Sequence, residues 1–302
     1  MNTYIDCIAY SRAQPHGLVL APFIGNMARM SAAAQGATTL TVPALTVAQV
    51  EYDNIFIFDG PSSEVVLVGP AGAGVNATSI PLLNGTQYAH AAGTSYCSDG
   101  TMGSLGEQIF TASKQIEDEI CYQALWATSY TNEILTMPTM RAAIDNEANI
   151  HFRPRHFPIS SFTSITLQDV RKNQTPLDPT QTTVDSDQQT VDISLSALLG
   201  SQSQQSQGSP YPYSTIERGT TAWLILAYTA GFAIGQLPRP ISRACALLTN
   251  ECFRLLENPI GADSIRQSDR QVTFVLRGDL SGESGLVKDA KRLLQPYVTE
   301  SF

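Results

Sequence analysis

The most regular pattern of apolar and polar residues lies between positions 223 and 258. Residues 223–228 (WLILAY) are apolar at nearly every position, which predicts a strand buried on both faces. Gly231 can take backbone angles that other residues avoid, and Pro238 and Pro240 suit the first turn of a helix. The apolar residues that follow recur on helical spacing and predict a helix with one buried stripe, formed by Ile241, Ala244, Leu248, Cys252 and Leu255.

A second pattern occupies the first third of the chain. Four short runs rich in β-branched or aromatic residues are separated by turns rich in Gly, Pro, Asp and Asn. They predict a small all-β module over residues 36–97, with strands at 38–42, 55–58, 64–68 and 79–83. A short helix over residues 24–34 is predicted to precede this module.

The remaining segments combine helices with short strands. An apolar stripe on helical spacing predicts the longest helix over residues 104–130. Short strands are predicted after residue 150, with a hairpin that turns at 185–187, and a last helix is predicted over 285–294. Together these elements predict an α+β fold with a helical-bundle core, β-hairpins and the small all-β module. The predicted domains are an N-terminal segment 1–35, the all-β module 36–97 and the helical core 98–302.

Composition favours a protein that meets other proteins. Charged residues make up 15% of the chain, against about 25% in typical soluble domains. The net charge is −9 and no Lys/Arg-rich run occurs, which argues against a broad nucleic-acid surface because phosphate binding depends on clustered cations.

The five cysteines show no close pairing and are predicted to be reduced thiols in a cytosolic assembly environment. Without a signal peptide or an apolar run of about 18 residues, neither secretion nor membrane spanning is expected.

The candidate chemical motifs favour a non-enzymatic protein without cofactor or metal. The glycine-rich loop 69–74 joins two predicted strands, whereas phosphate-binding loops lead into a helix. His151 and His156 lack the helical spacing of zinc ligands, and His90 is interpreted as a turn residue instead of a catalytic base. The carboxylates at 117–119 are consecutive, so they point in different directions on a helix. A nucleophile motif of the G-x-S-x-G type is missing from the sequence.

Three short segments carry a recognisable order of residues. The first is FPISSFTSI, which begins at Phe157. The second combines YTAGF from Tyr228 with LPRPISRA from Leu237, and the third is AKRLLQPY from Ala290. In order and spacing these segments resemble the phage head–tail connector, or adaptor, proteins of the HK97 gp6-like family. With the long predicted helix, the likeness covers residues 104–302, and the all-β module lies outside it.

The resemblance implies a structural role in a virion. Copies of the chain would form a homo-oligomeric ring, a dodecamer, that binds the portal protein on one side and a downstream neck, stopper or tail protein on the other. DNA would pass through the channel without sequence-specific binding, and no membrane would be involved. The protein would be located at the head–tail junction after assembly in the host cytoplasm. By position, the implied portal-binding residues are Lys291, Arg292, Leu293, Leu294, Tyr297 and Phe302.

Two other hypotheses stay open at this point. One is a different phage tail or baseplate protein whose β module binds a glycan or another partner, with Tyr52, Tyr88 and Tyr96 as an aromatic platform. The other is an enzyme such as a cell-wall hydrolase, although its carboxylate or metal pattern is missing from the sequence. Glycan arrays and zymography distinguish these two hypotheses from a connector.

Overall fold

The chain folds into two compact units. The computed structural model describes residues 1–13, 25–98, 100–137, 142–144, 149–168, 172–185, 189–194, 222–257, 264–267, 270–273 and 284–298. The first unit combines Met1–Tyr122 with Leu237–Val298, and the second unit lies within Gln123–Gln236. The second unit is therefore an insertion in the sequence of the first. The predicted domain boundaries at residues 36 and 98 both fall inside the first unit and stay a prediction.

Strands outnumber helices in the described residues. The helices are α1 (Cys7–Ala13), α2 (Gly100–Gln115), α3 (Arg239–Glu257) and α4 (Gly285–Leu294). The strands of the first unit before the insertion are β1 (Asn26–Arg29), β2 (Thr39–Thr41), β3 (Asn54–Phe58), β4 (Glu64–Leu67), β5 (Ser79–Pro81) and β6 (Ser95–Ser98). The second unit contains β7 (Thr128–Met137), β8 (Ala142–Ile144), β9 (Asn149–Phe152), β10 (Ile159–Gln168), β11 (Gln174–Leu177), β12 (Thr182–Asp185), β13 (Thr190–Ser194) and β14 (Ala222–Ala230). The antiparallel pair β15 (Ser264–Gln267) and β16 (Arg270–Thr273) follows α3.

Strands β1 to β6 form a closed barrel. Four of them pair in the order β1-β6-β3-β4, and β2 pairs with β5. The two groups are joined at both sides, because the Gly69 amide donates to the Pro81 carbonyl at 2.9 Å and the Ser31 amide donates to the Thr41 carbonyl at 2.9 Å. Closure satisfies strand edges that would otherwise invite pairing with other chains. The barrel interior is filled by aliphatic residues and one tyrosine: Met30, Ala33, Leu40, Val42, Leu45, Ile55, Ile57, Val66, Val68, Ala73, Ile80, Leu82 and Tyr96.

The two halves of the barrel repeat one structural pattern around a pseudo-twofold axis. The Val42 amide donates to the Thr78 carbonyl at 3.0 Å, and the Leu82 amide donates to the Thr38 carbonyl at 2.8 Å. These two hydrogen bonds exchange places when β1–β3 is superposed on β4–β6. The strand pairing obeys the same exchange, since β1 pairs with β6 in the register in which β4 pairs with β3. The barrel therefore consists of two consecutive structural repeats, β1–β3 and β4–β6.

Helix α2 packs on the outside of the barrel. Alternate residues of a strand point to opposite faces, so β3 directs its isoleucines inward and its phenylalanines outward. Phe56 and Phe58 each lie 5.8 Å, centroid to centroid, from the ring of Phe110 on α2. Gly106 permits this approach, because a Cβ at that position would lie 2.3 Å from the Phe56 ring. Helix α3 packs in turn against α2 and α4, and the predicted stripe is confirmed as buried at Ile241, Ala244 and Leu248.

Helix α2 ends earlier than predicted. Its continuation widens into a π-helix over Ile116–Cys121, and Tyr122 adopts a left-handed φ of 55° that stops it. Ala124 and Ala127, which also fit the apolar stripe, lie beyond the helix and lead into β7. The prediction of a helix over 104–130 is therefore wrong for its last part.

The second unit is a sandwich of two four-stranded antiparallel sheets, β11-β10-β14-β7 and β12-β13-β9-β8. The predicted hairpin at 185–187 is confirmed as β12–β13, with Val184 opposite Val191. The predicted strand 223–228 lies within β14, but its residues alternate between buried and half-buried, so one face of the strand forms core. The two sheets share one apolar core: Leu135, Ile150, Phe152, Phe157, Ile165, Leu167, Leu177, Val191, Ile193, Leu224, Leu226, Tyr228 and Ala230.

The predicted helical-bundle core is wrong. The described residues form mainly β-sheet, and the first unit is built around a barrel on which α1 and α2 pack, with α3 packed in turn against α2 and α4. A helical stripe reports that one face is buried, but it does not report whether a helix or a sheet covers that face. The predicted helix over 24–34 is also wrong, because pairing with β6 makes Asn26–Arg29 a strand. The four predicted strands of the all-β module are confirmed as β2, β3, β4 and β5.

Candidate functional site

Helix α4 carries most of the residues implied to bind the portal. Ser284 caps the helix, and its hydroxyl accepts a hydrogen bond from the Val287 amide at 3.3 Å. Ala290 and Leu294 have no exposed surface, so they form the face that packs in the first unit. Lys291 and Arg292 are exposed on the opposite side. Asp289 is exposed beside them and lies 3.6 Å from Arg292, so the exposed residues of α4 combine two cations with one carboxylate.

The other implied residues differ in accessibility. Leu293 and Tyr297 are half-buried, and burial raises the pKa of the Tyr297 hydroxyl, with a smaller contribution from nearby Cys121. Leu294 is enclosed within the unit, and Phe302 lies outside the described residues. The surface that a partner could contact thus consists of Lys291, Arg292 and the accessible parts of Leu293 and Tyr297, and its role stays a prediction.

A buried charged cluster lies inside the second half of the barrel. The Nδ1 atom of His90 is 2.9 Å from Oδ2 of Asp59, and its Nε2 atom is 2.7 Å from Oε1 of Glu64. The Glu64 carboxylate also accepts hydrogen bonds from the amides of Gln87 and Tyr88, at 2.8 and 3.3 Å. Both ring nitrogens of His90 are occupied and its side chain has no exposed surface. The cluster therefore joins three segments and offers no nitrogen for base catalysis or metal binding.

The first half of the barrel has a neutral counterpart of this cluster. Asn26 takes the place of Glu64, and its Oδ1 accepts hydrogen bonds from the amides of Thr46 and Val47 at 2.8 and 3.1 Å. Gln49 takes the place of His90, since it forms with Ala73 the bridge that His90 forms with Ala33. Gln49 is 2% exposed, and its Oε1 has no hydrogen-bond partner.

A polar cluster in the second unit anchors the loop before β10. The Tyr228 hydroxyl donates to the Glu133 carboxylate and accepts a hydrogen bond from the His156 amide at 3.3 Å. The His156 ring stacks on the Tyr130 ring with centroids 3.8 Å apart. Burial raises the pKa of Tyr228, assisted by the Glu133 carboxylate, and burial lowers the pKa of His156, assisted by the charge of Arg155. The His156 Nδ1 atom is buried without a hydrogen-bond partner, so a proton there would be poorly stabilised.

The remaining sequence candidates have structural roles. Residues 69–74 form an inter-strand turn, as predicted, in which Gly72 has φ 59°. His151 pairs with Asp192 across β9 and β13 at 2.5 Å. Within the described residues, no group of three or more His, Cys, Asp or Glu side chains could hold a metal ion.

The cysteines and the 117–119 carboxylates also serve the interior. None of the five cysteines forms a disulfide. Burial raises the pKa of Cys245 to about 11 and that of Cys121 to about 12, so these thiols are poor nucleophiles. Glu117 accepts hydrogen bonds from the Asn2 amide group, at 2.5 Å, and from the Tyr4 hydroxyl. It thus holds the N-terminal residues against the helix and diverges from its acidic neighbours.

The barrel aromatics do not form the aromatic platform of the glycan hypothesis. Tyr96 is 1% exposed and belongs to the barrel core, so it cannot contact a ligand on the surface. Tyr52 and Tyr88 are 59% and 39% exposed. Pattern analysis missed the relation between the two halves, although residues 37–40 read ATTL and residues 77–80 read ATSI. That short repeat was the available signal.

Comparison with known proteins places the chain in no family. A scan against protein-family models finds no match, and a search of curated proteins finds no relative. Among the described residues, no helix has the length and apolar character needed to cross a membrane.

Proposed function

We propose that the chain is a structural subunit of a phage head–tail connector, which forms a homo-oligomeric ring between the portal protein and the next neck or tail protein. The observation that carries the proposal is the local structure of the segments that resemble the connector family. Tyr228 to Phe232 is the end of a strand and a glycine turn, and residues 237–244 start α3. The third segment, from Ala290, is the end of α4, which packs against α3.

The local backbone geometry requires a glycine in the YTAGF segment. Gly231 has φ 105°, and a Cβ there would lie 2.3 Å from the Trp126 carbonyl oxygen. Its amide donates to the Pro158 carbonyl at 2.8 Å, and the next amide, of Phe232, donates to the Leu125 carbonyl at 2.8 Å. A residue with a side chain would disturb this close approach. The motif therefore describes a backbone geometry and not a catalytic residue.

The surface chemistry also supports a ring through which DNA passes. A contact between two different faces of the same chain generates a ring when its rotation closes. Sparse charge lowers the desolvation penalty of such contacts, and 15% charged residues is sparse. The net charge of −9 repels the phosphate backbone, so DNA would not adhere to the channel as it moves.

The test is binding of the full chain to a purified phage portal protein. Mass photometry should detect a ring, and an immobilised portal should retain it. The variant Lys291→Glu/Arg292→Glu should weaken portal binding by about tenfold or more, because it replaces both exposed cations of α4 by carboxylates. The matched control Lys114→Glu/Lys172→Glu changes the net charge of the protein by the same amount, at two other exposed positions, and should bind the portal normally. Equal loss in both variants, or no portal binding by the wild type, contradicts the proposal.

A further inference from the structure

One corner of the barrel exposes apolar residues that its pseudo-equivalent corner lacks. Val50, Tyr52 and Val75 are 64%, 59% and 56% exposed, and we call these three residues with Glu51 the Val50–Tyr52 corner. The bridge between Gln49 and Ala73 holds the two contributing segments side by side, with hydrogen bonds of 2.7 and 2.9 Å.

The other half of the barrel shows that the backbone does not require these side chains. The Tyr52 amide donates to the Val68 carbonyl at 3.0 Å, and at the equivalent place the Gly93 amide donates to the Met30 carbonyl at 2.9 Å. By the same superposition, Ala91 replaces Val50, Ala92 replaces Glu51 and Gln35 replaces Val75. The same turns therefore form from small or polar residues, and the exposed apolar groups are unnecessary for folding.

Tyr52 occupies a position at which the backbone disfavours a bulky residue. Its φ is 68°, in the left-handed region, where Gly93 has φ 91°. A bulky residue in this region is strained and glycine is not. Such strain at an exposed position points to a use for the side chain. Large aromatic side chains flanked by aliphatic ones are typical anchors of protein interfaces.

The chemistry of the corner defines its partner. Glu51 is exposed, and its carboxylate raises the pKa of Tyr52 by hydrogen bonding. The complementary surface is apolar with guanidinium groups, which pair with carboxylates and stack on tyrosine rings. The start of α3 has this chemistry, since Arg239, Pro240 and Arg243 are exposed and no Asp or Glu occurs from residue 237 to 250.

We propose that the Val50–Tyr52 corner of one copy docks on the Arg239–Arg243 turn of α3 in a second copy. The two surfaces differ and both belong to the first unit, so the contact is head-to-tail and can repeat around a ring. The inference rests on the proposed function only in that a ring requires such a contact.

The first experiment gives the corner the residues of its pseudo-equivalent. The full-length variant Val50→Ala/Tyr52→Gly/Val75→Gln should weaken self-association by about tenfold or more in sedimentation velocity without portal, and should melt near the wild-type temperature. The control Tyr122→Gly removes another tyrosine that is 55% exposed at a positive φ, and it should assemble normally. Normal assembly of the corner variant, or a wild type that stays monomeric at all concentrations, overturns the proposal.

A charge exchange tests the partner surface. Glu51→Lys and Arg243→Glu should each weaken self-association, and the double variant, with the two charges exchanged, should recover it. Failure of the double variant to recover overturns the assignment to α3. Portal retention is measured separately on the same proteins. Normal rings that fail to bind portal contradict the proposed function alone, whereas portal-binding rings that tolerate every corner variant contradict this inference alone.

Discussion

The two halves of the barrel share a backbone and differ in chemistry. In the first half, Asn26 and Gln49 are neutral, and one amide oxygen stays without a partner. In the second half, Glu64 and His90 occupy the equivalent places and form a buried charged cluster with Asp59. The backbone amides that donate to Asn26 in one half and to Glu64 in the other lie at equivalent positions. The fold therefore demands an acceptor for these backbone amides and leaves the charge of that acceptor open.

The strongest way to break this comparison is to remove the acceptor from each half in turn. Glu64→Ala leaves the His90 Nε2 atom and two backbone amides unpaired in a buried site, so we expect a loss of about 3–5 kcal/mol in the free energy of unfolding. Asn26→Ala leaves two amides unpaired without a buried charge, so the loss should be about 1–3 kcal/mol. Urea denaturation of both variants measures the difference. Equal losses would show that the charged cluster adds nothing beyond its hydrogen bonds.

A second prediction sharpens the comparison by converting one half into the other. Glu64→Asn and His90→Gln each change one side of the Glu64–His90 contact alone, and each should destabilise the protein. The double variant restores the neutral pair of the first half, so its loss should be smaller than the sum of the two by about 1 kcal/mol or more. Asp59 would then rely on solvent, which reaches 26% of its side chain. A double-mutant cycle in urea checks this, and strict additivity would refute the equivalence of the two sites.

The smallest expected effect contrasts His90, whose two nitrogens have partners, with His156, whose Nδ1 atom has none. Because burial lowers the pKa of His156, the folded protein resists protonation that the unfolded chain accepts. Its neutral form therefore favours folding above the unfolded pKa of about 6.5, and this contribution is lost as the pH falls through the lower folded pKa. Thermal melts of the second unit between pH 8 and pH 5 measure this. The melting temperature of His156→Gln should decrease less steeply toward acid pH than that of the wild type. Parallel profiles would exclude His156 as the cause.

Local patterns were enough for most single elements and for the glycine turn. The run of β-branched and aromatic residues at 55–58 and the stripe from Ile241 each predicted the element that forms. Helix α2 was predicted too long because Ala124 and Ala127 continue the spacing after Tyr122 has turned the chain. Of the predicted partner-binding residues, Leu294 lies inside the first unit, which its position alone could not reveal.

The sequence by itself determined many of the strands, turns and helices, because those choices depend on neighbouring residues and backbone preference. Pairing with β6 overrode it at Asn26–Arg29. Only the tertiary structure decided that six short strands close into a barrel of two similar halves, that α2 packs on this barrel and α3 on α2, and that an eight-stranded sandwich is inserted between α2 and α3 in the sequence. The same holds for the cluster of Asp59, Glu64 and His90 and for the exposed Val50–Tyr52 corner. These features depend on pairing between distant segments, and the residues of one segment do not specify which partner will cover them.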